Sequence, residues 1–195
     1  MNLIERIDEA RQRLNILDHP FYLRWERGDL SRDELAFYAG EYRHAVVALA
    51  DAAAVAGDPG HAAEEAAHVQ LWDDFAAALG ADLNREPTVE TSACASAWRA
   101  DDSLAARAVL YAVEAGQPAV SHTKLVGLVD HYGFEPASDG TAYFDLHAER
   151  DHEHAEASAR VLRSAPPEED DRLVSAAEAA LAGNWKLLDG VESAT

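Results

Sequence analysis

The sequence predicts an all-α protein, folded as one compact bundle of seven to eight helices in a single domain over residues 1–195. Alanine, the strongest helix former, supplies 41 of the 195 residues, whereas Gly (11) and Pro (7) are few. Apolar residues recur every three or four positions along most of the chain, which is the spacing of amphipathic helices. No segment rich in Val, Ile and Thr alternates as a strand does.

Four helices are predicted in the first half of the chain, each bounded by a capping residue or a helix breaker. They cover residues 3–17, 21–25, 33–55 and 61–79. Ser31 followed by Glu34 forms a capping box, which starts the third of these helices. The breaks between the helices fall at His19–Pro20, at Gly28 and in the segment 57–60.

Four more helices are predicted in the second half. They cover residues 91–98, 103–132, 141–163 and 168–188. Asp102 or Ser103 caps the second of these, Pro118 predicts a kink within it, and Gly133 ends it. The dipeptide Pro166–Pro167 separates the last two helices.

The chain is strongly acidic, with 36 acidic and 16 basic residues and a net charge of −20. This charge argues against nucleic acid and anionic membranes as partners, because both need a basic surface. No apolar run approaches the roughly 18 residues of a membrane span, and no signal-peptide core is present near the N-terminus. Cys94 is the only cysteine, which excludes a disulfide within the chain and a cysteine-based metal cage. We therefore expect a cytoplasmic protein.

Two segments share one spacing: a histidine, a carboxylate four residues later and a histidine seven residues later. They are His61–Glu65–His68 and His147–Asp151–His154. Offsets of four and seven place side chains on one face of a helix. Two imidazoles and a carboxylate suit iron, manganese or zinc. A solvated charged face explains either segment alone, whereas two such segments favour a metal site.

Glu114 is a further candidate ligand. It lies among Leu110, Tyr111 and Val113, where an unpaired charge is costly to bury. Helical bundles build metal sites from carboxylates and histidines that project inward from neighbouring helices. The spacing therefore predicts that Glu114 and the two histidine segments face one core.

Several longer motifs are also informative. They are the segments 19–25, 28–31 and 38–42, the run His68-Val69-Gln70-Leu71-Trp72, Glu114-x2-Pro-x6-Lys124-x2-Gly-Leu, and Tyr143-Phe144-x2-His147-x3-Asp151-x2-His154. These motifs resemble the haem-oxygenase-like proteins related to PQQ synthase C and TenA, and in particular their di-iron branch. The resemblance covers roughly residues 18–162. It is greatest to para-aminobenzoate synthases of the type of the chlamydial protein associating with death domains.

The resemblance implies a haem-oxygenase-like bundle around a dinuclear metal site. The implied ligands are His68, Glu114, His147, Asp151 and His154. The family usually has a glutamate seven residues before the first of these histidines, where this chain has His61. The sixth ligand is therefore His61 or Glu65, and Glu64 is a less favoured alternative.

The resemblance also implies an activity. The protein would be a non-haem oxygenase or oxidase with two iron ions, or iron and manganese, that uses O₂ as co-substrate and an external reductant. Its substrate would be a small molecule or its own side chains, and a homodimer is usual for similar proteins. In relatives that make para-aminobenzoate for folate biosynthesis, a tyrosine supplies the ring and a lysine supplies the nitrogen. The matching positions are Tyr22 and Lys124, with Tyr143 as a relay.

Other interpretations stay open at this stage. Tyr22 also fits a core aromatic residue, and Lys124 a surface lysine with a packed stem. If residues 103–132 form one helix, Lys124 lies about 15 Å beyond Glu114 along the axis. A direct approach to the metals then needs the kink at Pro118, or another helix that brings the metals nearer. A metal-free enzyme of the TenA or PQQ-synthase type and a non-enzymatic interaction protein are the alternative functions.

Overall fold

The computed structural model describes all 195 residues and contains only helices and turns, which confirms the predicted all-α class. Nine α-helices are present, with 3₁₀ turns at Ile16–Asp18 and Pro167–Glu169. In chain order the helices are α1 (Leu3–Arg13), α2 (Pro20–Arg27), α3 (Arg32–Ala56), α4 (Pro59–Leu79), α5 (Val89–Trp98), α6 (Ser103–Glu114), α7 (Gln117–Asp130), α8 (Ala142–Leu162) and α9 (Asp170–Ala194).

Most helix ends follow the predicted capping chemistry. The Ser31 side chain accepts a hydrogen bond from the Glu34 amide, and the Glu34 carboxylate accepts one from the Ser31 amide, so the predicted capping box begins α3. Asp102 caps α6. Gly28 and Gly80 end α2 and α4 with φ angles of 71° and 78°, a left-handed conformation that favours glycine.

The first helix is shorter than its apolar pattern predicts. It ends at Arg13, because the Asn15 side chain accepts a hydrogen bond from the Leu17 amide and begins a 3₁₀ turn. Leu14 and Leu17 still pack against the core, so the apolar spacing continues where the helix does not.

The continuous helix predicted for residues 103–132 is wrong, because α6 and α7 are separate helices. Ala115 and Gly116 lie between them, and Pro118 occupies the first turn of α7, where a helix does not need the missing N–H. Pro118 therefore helps to start a helix and does not kink one. The 15 Å separation of Glu114 and Lys124 expected along one axis no longer applies, since α7 packs on α2 and α8.

The helices that carry the candidate ligands face one interior. Helix α8 packs against α4, α6 and α7, while α3 packs against α4, α5 and α6. Beside this interior lies a core of large aromatic side chains. Its members are Phe21, Tyr22, Trp25, Tyr38, Tyr42, Trp72, Phe75, Trp98, Tyr143 and Phe144. None of the helices combines the length and the apolar character that crossing a membrane requires.

Candidate metal centre

Seven histidine and carboxylate side chains from α4, α6 and α8 meet in the interior. They are His61, Glu65, His68, Glu114, His147, Asp151 and His154. The first three project from one face of α4 and the last three from one face of α8, as their spacing predicts. Six are buried and His154 is partly buried. His152, which lies off this face, is exposed.

The donor atoms of these side chains form two groups that share Glu65. One group contains His61, Glu65, Glu114 and His154, and the other contains Glu65, His68 and His147. Within each group the donor atoms lie within 4.8 Å of one another. His61 and Glu65, the two candidates for the sixth ligand, are thus both present. The Glu65 carboxylate therefore lies within reach of the donor atoms of both groups.

Most of the donor atoms have no hydrogen-bond partner in the protein. They are both ring nitrogens of His61, Nδ1 of His68, both carboxylate oxygens of Glu114, Nε2 of His147, both oxygens of Asp151 and Nδ1 of His154. His61 Nε2 lies 2.9 Å from Glu114 Oε1, but without the alignment of a hydrogen bond. Buried polar atoms are normally satisfied. Imidazole nitrogens and carboxylate oxygens that converge without partners fit an iron or manganese ion.

Two of the histidines are oriented by their second ring nitrogen. His147 Nδ1 donates a hydrogen bond to the Tyr143 carbonyl at 2.6 Å, which leaves the lone pair on Nε2. His154 Nε2 lies 3.0 Å from the Glu64 carboxylate, while its Nδ1 faces Glu65 at 3.8 Å. Outer contacts of this kind fix the tautomer of a metal-binding histidine. Glu64, the less favoured ligand candidate, therefore contacts the centre through His154.

The three carboxylates of the centre form no ion pair with lysine or arginine. Burial acts to raise the pKa of Glu65, but His61 and His68 outweigh it and lower that pKa, whereas the pKa values of the other two carboxylates are raised. Burial, reinforced by Glu114 and Glu65, raises the pKa of Asp151 to about 9. Burial also raises the pKa of Glu114 to about 7, although His61 opposes the shift. Burial lowers the pKa of His61, but Glu114 and Glu65 outweigh it and raise the pKa to about 10. A bound cation would relieve this concentration of negative charge.

Lys124 is wholly buried, so the surface-lysine interpretation is wrong. Its Nζ atom lies over five aromatic rings, and it forms no salt bridge. The distances to the ring centres are 4.7 Å for Tyr42, 5.4 Å for Tyr22 and Phe144, 5.5 Å for Tyr38 and 5.6 Å for Trp72. Burial lowers the pKa of Lys124 to about 7. We call this arrangement the aromatic cage.

A series of aromatic rings connects the metal centre to Tyr22. The Tyr143 ring stacks on the His147 ring, with 3.9 Å between their centres. The distances between the centres of the next neighbouring rings are 4.9 Å for Tyr143 and Trp72, 5.1 Å for Trp72 and Tyr42, and 5.3 Å for Tyr42 and Tyr38. The hydroxyl oxygens of Tyr38 and Tyr22 are 3.1 Å apart. No role for Trp72 was predicted from the sequence. Its position four residues after His68, on the same face of α4, was the available signal.

Comparison with known proteins gives a family and several relatives. Residues 48–185 match the sequence profile of a haem-oxygenase family described as iron-containing redox enzymes. The 4-aminobenzoate synthase of Chlamydia muridarum is 29% identical, over 100% of this chain and 92% of the relative. The 4-aminobenzoate synthase of Nitrosomonas europaea is 27% identical, over 96% and 89% respectively.

Solved structures are similar across the whole fold. A domain of unknown function with a haem-oxygenase-like fold from Shewanella denitrificans has a TM-score of 0.79 at 20% identity, over 100% of this chain and 93% of that chain. A TenA homologue from Pseudomonas syringae has a TM-score of 0.79 at 17% identity, over 98% of this chain and 91% of that chain. These similarities confirm the predicted haem-oxygenase-like fold.

Proposed function

The chain belongs to the haem-oxygenase-like family of iron-containing redox enzymes, and on this premise we propose that it is a non-haem dinuclear oxygenase or oxidase. Two iron ions, or iron and manganese, would be its cofactor and O₂ its co-substrate. The observation that carries the proposal is the membership of Glu65 in both donor groups. A shared carboxylate is how a helical bundle holds two metal ions side by side.

The residues would divide between two positions. His61, Glu114 and His154 would bind one ion, His68 and His147 the other, and Glu65 both. Asp151 lies outside the two groups, but it is buried beside them with both oxygens free to bind. When bound, the metal ions supply the redox chemistry that activates O₂. The packed helices around them keep out water and fix the ligand geometry.

We further propose that the product is 4-aminobenzoate, the compound named in the relatives, and that the chain supplies its atoms. Tyr22 would give the ring: its Cα–Cβ bond would break, and O₂ would oxidise Cβ to the carboxylate. The Lys124 amine would replace the phenol oxygen, which leaves as water, and the Cε–Nζ bond would then break, with Cε oxidised to an aldehyde. O₂ would be the oxidant, and an external reductant would supply the electrons that its activation needs. In support, Lys124 Nζ lies 5.4 Å from the centre of the Tyr22 ring. Burial lowers the pKa of Lys124 to about 7, so much of the amine is uncharged near neutral pH and has the lone pair that a nucleophile needs.

The residues between Tyr22 and the metal centre would carry charge. Trp72 and Tyr143 lie in the series of rings that leads to His147, and they would pass an electron from the Tyr22 side toward the metals. The Tyr22 phenol is protonated at rest, because burial raises its pKa. The Tyr38 hydroxyl, 3.1 Å away, is placed to accept a hydrogen bond from this phenol.

The experiment that tests this function uses purified, iron-loaded protein with reductant and O₂ but no added substrate. We expect 4-aminobenzoate in an amount no greater than one molecule per chain. A protein that cannot retain one metal ion per chain would contradict the dinuclear centre. Many product molecules per chain would contradict the use of Tyr22 and Lys124 as reactants, and would leave the dinuclear centre standing.

The structure does not favour a TenA-type hydrolase with a nucleophilic cysteine. Cys94 lies in the middle of α5 and is fully buried. Burial raises the pKa of its thiol to about 12, so the thiolate that attacks a substrate would not form near neutral pH.

A further inference from the structure

The two donor groups of the metal centre draw on different helices. Glu65 is common to both, and the other donors of the first group are His61, Glu114 and His154, which come from α4, α6 and α8. The second group adds only His68 and His147. All of its donors come from α4 and α8, so it lies between these two helices, whereas the first group also takes a donor from a third helix.

Asp151 adds a further donor on the side of the first group. Its carboxylate belongs to neither group, and both of its oxygens are buried without a hydrogen-bond partner. The charged side chains that act on this carboxylate are Glu114, Glu65 and His61, and all three belong to the first group. The first group and Asp151 together can thus offer one ion five side chains, of which three are carboxylates with two oxygens each.

The second group offers its ion only three side chains, and they are of a particular kind. Glu65, His68 and His147 supply one carboxylate and two imidazoles. This set holds iron in non-haem oxygenases, where three protein ligands leave positions open for other molecules. An ion in the second group would therefore have open positions, while an ion surrounded by five side chains would have its positions filled by the protein.

A cavity of about 300 Å³ between α4 and α8 has a member of the second group, His68, in its wall. It is open to solvent, since Ala67 and Arg150 in the same wall are exposed. Leu146, which also lines it, directly precedes His147 in the chain. The cavity thus follows both helices at the level of the second group. We call it the α4–α8 groove, and its lining residues are Glu64, Ala67, His68, Leu71, Leu146 and Arg150.

The chemistry of the groove suits a small uncharged molecule. Leu71 and Leu146 give it a half-buried apolar wall. Glu64 and Arg150 carry opposite charges 4.0 Å apart, so neither sign of charge is favoured beside them. Only 6% of the His68 side chain is exposed, so the passage to the second group is narrow. An apolar diatomic molecule meets these requirements.

We propose that the α4–α8 groove is the entrance through which O₂ reaches the metal centre, and that O₂ arrives at the ion of the second group. The assignment rests on the proposed function, because O₂ has no reason to enter a centre without metal ions. Ala67, Leu71 and Leu146 then control access to the centre and take no part in the chemistry.

The test uses nitric oxide, an uncharged diatomic molecule of similar size to O₂ that changes the visible absorption and the EPR spectrum of ferrous iron when it binds. The reduced, iron-loaded full chain is mixed with nitric oxide under nitrogen, and the rate and final amount of binding are measured. We expect one nitric oxide per chain that holds two iron ions. Ala67→Trp should fill the groove and slow binding by about tenfold, with the final amount unchanged.

Ala66→Trp is the matched control for access. Ala66 is the neighbouring residue on α4 and is also exposed, but it does not line the groove. It should bind nitric oxide at the rate of the unmodified protein when the iron content is equal. Leu71→Ala should widen the groove and speed binding, which separates a change in access from general damage to the fold.

A second pair of variants locates the open ion. His68→Ala removes a donor from the second group only, and His154→Ala removes one from the first group only. Each should retain one iron ion per chain. Only His68→Ala should lose the nitric oxide signal, because the ion that remains in it is the one surrounded by five side chains.

The inference is overturned if Ala67→Trp binds nitric oxide as fast as Ala66→Trp, or if His68→Ala keeps the nitric oxide signal. Either result leaves the proposed function standing, because that function is tested by metal retention and product release. Failure of the proposed function is recognised separately, since unmodified protein would then not retain its iron ions or would release no 4-aminobenzoate.

Discussion

The Nζ atom of Lys124 lies 4.7 Å from the centre of the Tyr42 ring, in a cage that offers aromatic faces and no carboxylate. Aromatic faces stabilise a desolvated cation by about 2 kcal/mol or more. Burial of the ammonium group costs more than this, and it lowers the pKa of Lys124 to about 7. The unfolded chain, by contrast, keeps a lysine pKa of 10.5.

This difference predicts a pH-dependent stability. Between these two pKa values the unfolded chain binds a proton that the folded protein does not, so the free energy of unfolding rises with pH in that window. Relative to Lys124→Met, wild-type protein should therefore gain stability as the pH is raised from 7 to 10. Urea unfolding of wild-type protein and Lys124→Met, at equal metal content, measures this difference in the free energy of unfolding. Lys186→Met, which replaces the exposed second lysine, is the control. A difference in the free energy of unfolding that does not change with pH would contradict the lowered pKa of Lys124.

Replacing either proposed reactant should stop product release. Tyr22→Phe and Lys124→Met should yield no 4-aminobenzoate and retain the wild-type metal content, because neither side chain belongs to a donor group. Metal analysis and chromatography of the product measure both quantities. The controls are Tyr132→Phe and Lys186→Met. Wild-type yield from either reactant variant would show that the residue is only part of the scaffold.

Neighbouring glutamates on α4 should differ in their effect on metal binding. Glu65→Gln removes the carboxylate shared by both donor groups, so metal content should fall below one ion per chain. Glu64→Gln changes a group that contacts His154 and Arg150 but belongs to neither donor group, so the protein should keep both ions, with affinity about 10–100-fold weaker. Metal analysis after dialysis against increasing concentrations of a chelator measures the metal content of both variants. Equal loss of metal from Glu65→Gln and Glu64→Gln would contradict the different roles of the two glutamates.

Trp72 should be needed for transfer between the metal centre and Tyr22, and Trp98 should not. Both indoles are fully buried and donate a hydrogen bond to a backbone carbonyl, Trp72 to Ala39 and Trp98 to Ala180. Their replacement by Phe should therefore cost similar stability. Only Trp72→Phe should slow product release while O₂ is still consumed, since only Trp72 contacts Tyr143. Equal release rates from the two variants would argue against the path.

Gly127 should be intolerant of a methyl group. A Cβ atom there would stand 2.5 Å from Cδ1 of Trp25, whose Nε1 donates to the Lys124 carbonyl at 3.1 Å. Trp25 is fully buried and has no room to retreat, so Gly127→Ala should cost about 1–3 kcal/mol. Gly116→Ala is the control, since its Cβ would lie 3.5 Å from Arg11 Cδ, an ordinary contact. Thermal unfolding compares them, and similar Tm values would contradict the clash.

Helical periodicity explains why much of the candidate site could be predicted. Spacings of three and four fix which side chains share a face, so His147, Asp151 and His154 could be placed together before any fold was known. Glu114 stood out because a carboxylate in an apolar segment needs a partner. The sequence left His61 and Glu65 as alternatives because His61 stands where the family usually has a glutamate. Periodicity places both side chains on one face of α4 and does not choose between them.

The position of Lys124 could not be predicted, for two physical reasons. The break before α7 leaves Ala115 and Gly116 with ordinary right-handed backbone angles, so the sequence marks it only through Pro118, which fits a kink as well as a helix start. The aromatic cage is assembled from α2, α3, α4 and α8, and packing between distant segments leaves no periodic mark on the sequence around Lys124.

The complete burial of Tyr22 sets a limit on what one chain can do. Its ring packs against Phe21 and Trp25 in the middle of the aromatic core. If that ring departs as product, the loss resembles truncation of a large core side chain, which costs about 3–5 kcal/mol out of a typical total of about 5–15 kcal/mol. A spent chain would spend more time unfolded, and proteases would clear it preferentially. Reaction and disposal would then be coupled, with each molecule marked for degradation by the event that used it.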